Sequence, residues 1–470
     1  MKTHAPIGIN TPGILPGRLA PLRYTENFSD IEKPLAAAEA IIEADRCYYC
    51  FDAPCTQACP ADINVPSFIH RIAQGNLRGA AEAILSANPL GGMCARVCPT
   101  ETLCELACVR NDQDGQPVKI GLLQRYATDH VLENPGRPLF VRSSATGKRV
   151  AVVGAGPAGL TVAHRLALAG HEIVVFDAMA KAGGLNEYGL AAYKTTDDFA
   201  QREIQWLLSM GGIEIRTGQR LGVDFTLEQL RSEYDAVFLG LGLAGVVALG
   251  IEGESSAGIM DAVEFIGALR QAQDLSQVAI GRHVVVIGGG MTAIDAAVQA
   301  SKLGAREVTI VYRRGEDQMK ASAYEQELAR KNHVQIRFWA TPMAFHSEQG
   351  QVSSVTFALN HPQNEPADAG ETLTLPADMV LKAVGQRYLP DAAGNAIALE
   401  HGRIATDDQC RTSLPGVWAG GDCRVGGLDL TVDAVRDGKL AASAIDTALR
   451  AQDSANDPDS DLCDKEFFHG

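Results

Sequence analysis

Apolar and polar positions follow two different rhythms along this chain. Over residues 31–46 Leu35, Ala38, Ile41 and Ile42 recur at helical spacing, and the same period returns over residues 80–85 and 120–131. Pro66 is placed to open an intervening helix as its first residue. From Arg149 the pattern changes to short apolar runs that end in glycine. Val150-Ala151-Val152-Val153 precedes a glycine turn and a helical stretch to Ala169, and a second strand over residues 172–176 closes on Asp177. The unit recurs as Val284-Val285-Val286-Ile287, a glycine turn, a helix to Leu303 and a strand over 308–312. Short alternating strands are expected over 351–383, a further strand leads into Gly420-Gly421-Asp422, and a helix is expected over 432–449. Residues 1–30 lack periodicity and read as an extended arm over another surface, and residues 451–461 as a polar, acidic tail ahead of 462–468.

Bulk properties narrow the classes. A chain of 470 residues holds several domains. Its net charge of −16 disfavours nucleic acid and anionic membrane surfaces as partners. The longest apolar runs break at glycines and fall short of the roughly 20 residues that cross a bilayer. The first residues, Met1-Lys2-Thr3-His4-Ala5-Pro6, have no apolar signal core, so the cysteines are expected to be reduced and the protein cytoplasmic.

Eight of the eleven cysteines lie in two blocks, Cys47-x2-Cys50-x4-Cys55-x3-Cys59-Pro60 and Cys94-x3-Cys98-Pro99-x4-Cys104-x3-Cys108, with Gln124 beyond. Thiolates in close threes with a fourth from afar are the usual ligands of [4Fe–4S] clusters, so two clusters are implied. Structural zinc is the competing reading, because Cys-x2-Cys is also a zinc half-site. The variable spacing and the helical sequence between the blocks speak against it. No cysteine occurs between Val109 and Gln409, which removes the flavoprotein disulfide reductases with their thiol pair.

The first glycine motif is Gly154-x-Gly156-Pro157-Ala158-Gly159. Its glycines permit a tight turn, close approach of a pyrophosphate and helix-on-strand packing, and Asp177 stands where a carboxylate takes ribose hydroxyls. The second reads Gly288-x-Gly290-Met291-Thr292-Ala293 and has no acid after its second strand. Arg313, Arg314 and Lys320 stand there instead, and guanidinium forks suit a 2′-phosphate, which favours NADPH over NADH. By analogy with other double-unit enzymes, the first fold carries FAD and is interrupted by the nicotinamide fold. Gly421-Asp422 then approaches the ribityl chain, and the helix from Thr431-Val432 aims its positive end at the flavin ring. A simple helix cap is an equally compatible reading of Thr431.

The fold expected is therefore α/β with an N-terminal all-α iron–sulfur domain and two Rossmann-like domains. The boundaries are 1–147 for the helical domain, 148–253 and 380–450 for the FAD domain, 254–379 for the inserted NAD(P)H domain and 451–470 for the tail.

This combined order resembles the glutamate synthase small-subunit family and the N-terminal half of dihydropyrimidine dehydrogenase over nearly the whole chain. The resemblance is carried by Arg46-Cys47-x-x-Cys50-x-x-Ala53-Pro54-Cys55-x3-Cys59-Pro60, Cys94-x-Arg96-Val97-Cys98-Pro99, Val153-Gly154-Ala155-Gly156-Pro157-Ala158-Gly159-Leu160 and Ala419-Gly420-Gly421-Asp422. It adds Gly184 and Leu185 to the flavin contacts, although Tyr188-Gly189-Leu190-Ala191-Ala192 departs from the Gly-Ile-Pro stretch common there. It also implies a crossed ligand set: Cys47, Cys50, Cys55 and Cys108 for one cluster, and Cys59, Cys98, Cys104 and Gln124 for the other, with Cys94 spare. On spacing alone Cys94 would be the more natural eighth ligand. Glutamate synthase small subunits tend to carry glutamate where Gln124 stands, which tips the resemblance toward the dihydropyrimidine dehydrogenase branch. Bacterial two-subunit members of that branch are associated with NADH, against the indication from Arg313-Arg314.

The function expected is an NAD(P)H-oxidising subunit that splits a hydride into single electrons and exports them to an FMN-containing catalytic subunit reducing uracil and thymine. The rivals are a glutamate synthase small subunit, a related orphan oxidoreductase, and a zinc-bearing nucleotide-sensing scaffold. Cys410, Cys423 and Cys463 receive no role.

Overall fold

The computed structural model describes residues 6–134, 136–360, 371–390 and 396–456. Cys463 and the end of the tail lie outside the described residues.

The N-terminal unit is helical. Asn64 caps the helix Val65–Ala73 by accepting the Ser67 N–H, with Pro66 in its first turn, and Asn76 caps Leu77–Ala87 through the Gly79 N–H. The helix Ile120–Glu133 buries Ile120, Leu123, Ala127 and Val131 on one stripe, the 3.6-residue period read from the sequence. The helix expected from residue 31 is Ala37–Asp45 instead. The Glu39 carboxylate reaches back to the Ala36 N–H at 2.8 Å and closes the first turn there.

The first nucleotide-binding unit is a five-stranded parallel sheet in the order Val417–Ala419, Ala236–Leu239, Arg149–Val153, Glu172–Asp177, Ile213–Thr217. Four strands precede the second unit in the chain and one follows it, so the second unit is inserted in the first. That second unit has its own parallel sheet, ordered Ile259–Asp261, Met379–Ala383, His283–Gly288, Glu307–Val311, Val334–Arg337, flanked by an antiparallel sheet of Ala340–Glu348, Gln351–Leu359 and Thr372–Pro376. The outgoing and returning crossings pair with each other as Gly245–Val246 against Gln386–Arg387. The return expected at residue 380 therefore falls later, because Met379–Ala383 is a central strand of the inserted sheet. The last helix, Thr431–Asn456, outruns the stretch expected and packs on Pro157–Leu168. A Cβ at Gly438 would meet Ala158 O at 2.7 Å, so only glycine lets these helices approach so closely.

The N-terminal arm lies on the inserted unit. Leu15 pairs with Ile280, the Gly13 N–H donates to Asp378, and the buried Arg18 guanidinium donates to the carbonyls of Ile280, Gly8 and Thr11. Tyr24 and Phe28 enter the core of that unit. Among the described residues no helix is long and apolar enough to cross a membrane.

Candidate redox centre

The cysteines form two groups. Cys47, Cys50, Cys55 and Cys108 line one small cavity, whose wall includes Val65, Ile69, Val118 and Ile120. The chain passes through left-handed conformations at Tyr49 (φ +53°) and Ala53 (φ +41°), unusual for residues with a Cβ, and the Tyr49 N–H points at Cys47 Sγ, 3.4 Å away. Burial raises the Cys47 thiol and pushes Cys55 up to about 11. In the second group, a hydrogen bond with Cys94 and then burial hold the Cys98 thiol well up, with Cys104 and Cys59 adding to it. Burial likewise raises Cys59 and Cys104. Such thiols would stay protonated in water, and an iron–sulfur cluster held here would stabilise them as thiolates.

Cys94 thus sits within the second group, thiol against thiol with Cys98. Gln124 is buried on the neighbouring helix, where its Nε2 donates to Gly91 O at 2.7 Å on the helix Gly91–Val97 that carries Cys94. Both candidates for the eighth ligand are therefore at the same helix. A tetrahedral zinc ion draws four sulfurs to within about 3.8 Å of one another. Among the described residues no three His, Cys, Asp or Glu side chains converge on a single-ion site.

In the first glycine turn each glycine has a separate reason. A Cβ at Gly154 (φ +102°) would meet Gly240 O at 2.1 Å, and one at Gly159 would meet Gly154 O at 1.9 Å. At Gly156 the nearest atom is Gly184 Cα at 3.8 Å, so this position is free of protein and open to a pyrophosphate at the helix N-terminus. Asp177 anchors the turn: its Oδ2 accepts from Ala155 N and its Oδ1 from Met179 N, both at 2.7 Å. Burial raises its pKa, partly offset by those N–H groups and Arg220. Gly183 and Gly184, both at positive φ, lie against the turn through Gly183 N to Ala155 O at 2.8 Å, and Leu185 opens the short helix Leu185–Tyr188.

Gly421 (φ +79°) packs against Ala158, its N–H donating to Asp437. Asp422, beside Gly242, is pushed up to about 6 by burial and by Asp429, against the pull of Arg403. Thr431 Oγ1 reaches Asn186 Oδ1 at 2.6 Å, so it ties the start of the last helix to the Leu185–Tyr188 helix, and Val432 is buried behind it. The segment that departs from Gly-Ile-Pro turns toward the inserted unit: Ala191 N donates to Asp295, Ala192 N to Gln299, and Lys194 Nζ lies 2.8 Å from both Asp295 and Glu325.

The second glycine turn repeats the logic. A Cβ at Gly288 would meet Ala383 O at 2.2 Å, whereas Gly290, at the N-terminus of Met291–Lys302, has nothing within 4 Å. Thr292 follows in the first helical turn, and Ala293 is buried. Arg313, Arg314 and Lys320 are exposed and have no carboxylate partner within ion-pair distance among the described residues. Ala321 N donates to Gly289 O, which holds Lys320 next to the turn.

The second cysteine group abuts the first nucleotide-binding unit. Lys439 Nζ of the last helix donates to Ala61 O at 2.6 Å, two residues past Cys59. The fully buried Glu203 accepts the N–H groups of Gly92 and Met93 at the start of the helix bearing Cys94. Sequence reasoning missed Glu203, although one signal was available: it is an acid within the apolar stripe Phe199, Ala200, Ile204, Leu207. The contacts of Asn186 and Lys194 are long-range and left no local trace.

Two Rossmann-type units, one inserted in the other, with a cysteine-rich helical unit against the flavin side, define a pyridine-nucleotide flavoprotein oxidoreductase with an iron–sulfur domain. Residues 148–438 match the profile of the pyridine nucleotide-disulphide oxidoreductases, and residues 24–135 match that of dihydropyrimidine dehydrogenase domain II, 4Fe-4S cluster. The chain is 35% identical to the glutamate synthase [NADPH] small chain of Escherichia coli K12, over 89% of this chain and 93% of the other. It is 37% identical to the NAD-dependent dihydropyrimidine dehydrogenase subunit PreT of the same strain, over 86% and 93%. It belongs to the family of NAD(P)H-dependent flavin and iron–sulfur oxidoreductase subunits that contains both. Mycobacterium tuberculosis FprA in complex with NADPH shares the fold of the nucleotide-binding part, with a TM-score of 0.55 at 20% identity over 66% of this chain and 86% of that one. Thioredoxin reductase of T. acidophilum does so at a TM-score of 0.51 and 21% identity, over 64% and 99%. This chain has no cysteine between Val109 and Gln409 to serve as the thiol pair of a disulfide reductase.

Proposed function

We propose that this chain is the electron-input subunit of a two-subunit dihydropyrimidine dehydrogenase, holding FAD and two [4Fe–4S] clusters and serving an FMN-containing partner that reduces uracil and thymine. The net reaction is NAD(P)H + H⁺ + uracil → NAD(P)⁺ + 5,6-dihydrouracil. Bound FAD supplies the exchange between a two-electron hydride and single electrons. The residues do the rest. Gly154, Gly156, Gly159, Gly184 and Asp422 seat the flavin, and Thr431 with Asn186 holds the helix N-terminus that faces the flavin ring. Gly288, Gly290, Arg313, Arg314 and Lys320 seat the dinucleotide. Cys59, Cys98, Cys104 and Gln124 would hold the cluster beside the flavin unit, and Cys47, Cys50, Cys55 and Cys108 the outer one.

The observation that carries the pyrimidine reading is Gln124, buried on the helix facing the Gly91–Val97 segment with its amide nitrogen committed to Gly91 O, which leaves its oxygen free to ligate. The equal likeness to glutamate synthase small chains supports the second reading, in which the partner is a glutaminase-bearing large chain. The test is anaerobic purification, with iron and acid-labile sulfide counted. Reconstitution with an FMN-containing pyrimidine-reducing subunit and, separately, with a glutamate synthase large chain follows. About eight irons per chain and NAD(P)H-driven dihydrouracil formation are expected. Electron delivery to the large chain alone would select the second reading.

A further inference from the structure

Among the described residues, several large exposed apolar side chains fall on the segments that carry the outer cysteines. Tyr48, Tyr49 and Phe51 follow one another between Cys47 and Cys55, Leu106 stands between Cys104 and Cys108, and Ile41 and Ile42 are exposed on the helix that delivers Cys47. Tyr48 lines the same cavity as Cys47, Cys50, Cys55 and Cys108, and Tyr49, Phe51 and Leu106 each stand within two residues of one of those cysteines. An exposed apolar cluster of this kind marks an interaction surface.

Two of the cluster's aromatic rings are held in place, whereas Phe51 stands fully exposed. The Arg110 guanidinium lies over the Tyr48 ring at 4.2 Å, and the Tyr49 ring meets His70 edge-on at 5.1 Å. The rim is mostly acidic, with Lys119, between the cavity-lining Val118 and Ile120, as an exposed cation on it. Arg46 is neutralised by Glu43 at 2.6 Å and Arg110 by Asp114 at 3.0 Å. Asp45, Asp52 and Asp112 are exposed and have no cationic partner within ion-pair distance among the described residues. The second cysteine group, by contrast, is shut against the flavin unit through Lys439 and Glu203.

We infer that the collar of Tyr48, Tyr49, Phe51 and Leu106 is the docking surface for the electron-accepting subunit, which meets it with an apolar face rimmed by lysine or arginine. This rests on the reading above, that the outer cysteines hold a cluster and that electrons leave to a second polypeptide. The held rings of Tyr48 and Tyr49 bind with little ordering cost, and the mostly acidic rim steers a basic partner onto the electron exit.

The experiment compares holoenzyme carrying Phe51→Ser, Leu106→Ser or Asp52→Lys with wild type and with Val223→Ser, a control at an exposed apolar residue of the flavin unit. Iron content and NAD(P)H-dependent ferricyanide reduction, which needs no protein partner, should stay within twofold in all. Affinity for the FMN-containing subunit, and electron delivery to it, should fall at least tenfold in the collar and rim variants and not in the control. Collar variants that bind and deliver like wild type overturn the proposal while the function stands. Productive coupling to a glutamate synthase large chain alone, lost in the collar variants, keeps the docking surface and rejects the pyrimidine partner. Self-association of wild type in sedimentation velocity that the collar variants abolish would assign the surface to a second copy and overturn the proposal, as would a wild type that couples to neither acceptor.

Discussion

The Glu203 carboxylate of the flavin unit accepts the backbone N–H of Gly92 at 2.8 Å, and thereby caps a helix of a different domain. The same oxygen takes the Met93 N–H at 3.0 Å, and the Arg96 guanidinium one turn along sits 3.4 Å over the Phe199 ring. A cap normally comes from the residue preceding its helix. Here it comes from another unit, so the orientation of the helix carrying Cys94 depends on docking.

Burial pushes Glu203 up to about 7, against the opposing pull of Met93 N–H, Arg96 and Gly92 N–H. Its folded pKa lies above the ordinary carboxylate value, so the folded chain holds this proton more tightly. Its contribution to stability is full below about pH 4.5 and is lost as pH rises through about 7, by an amount on the order of 3 kcal/mol. Glu203→Gln keeps an acceptor and cannot ionise. Its melting temperature relative to wild type should rise between pH 5 and pH 8, and a difference independent of pH would refute the assignment.

The glycines separate into two kinds by what a methyl group would touch. Gly159→Ala drives a Cβ into Gly154 O and should lower the melting temperature of apoprotein. Gly156→Ala and Gly290→Ala meet no protein atom closer than 3.8 Å and sit at ordinary φ. They should melt like wild type as apoproteins, yet Gly156→Ala should bind FAD, and Gly290→Ala NAD(P)H, at least tenfold more weakly by fluorescence titration.

On the reading proposed above, Arg313 and Arg314 set the coenzyme preference. Replacing both by alanine should raise KM for NADPH at least tenfold, about 1.4 kcal/mol or more, and leave KM for NADH within threefold. Steady-state ferricyanide assays with both coenzymes read this directly. Equal losses for the two coenzymes would make the arginines a solvated edge.

Much of this architecture was legible in the chain. The helical period over 120–131, the two strand-turn-helix units and the eight clustered cysteines correspond to observed elements because each is a local pattern, written by residues a few positions apart. The late return to the first sheet was misplaced by a few residues, because Met379–Ala383 is an apolar run that could belong to either sheet. Asp177 is expected from the sequence to take ribose hydroxyls, and its grip on the Ala155 and Met179 N–H groups shows only in three dimensions. Glu203 and Lys194 act across domains, and Asn186 across the two segments of the flavin domain, and sequence spacing carries no information about partners a hundred residues away.

Lys194 is one such residue, largely buried between Asp295 and Glu325 of the inserted unit. Lys194→Met would leave two buried acids without their cation, a loss of about 3–5 kcal/mol. The expected result is an early, separate melting transition of the inserted unit by calorimetry. Limited proteolysis near residues 247–256 should become faster in parallel. A single transition at the wild-type temperature would show that the crossings alone fix the unit.

The pairing of Arg18 with Ile280 has a consequence for synthesis. These partners are 262 residues apart. At usual translation speeds roughly 13–50 s separate the appearance of one from that of the other on the ribosome. The arm must wait, with Tyr24 and Phe28 uncovered, until its cradle has been made. A nascent chain halted before residue 280 should therefore expose those aromatics to chaperones, and release once the cradle emerges marks the moment this protein becomes whole.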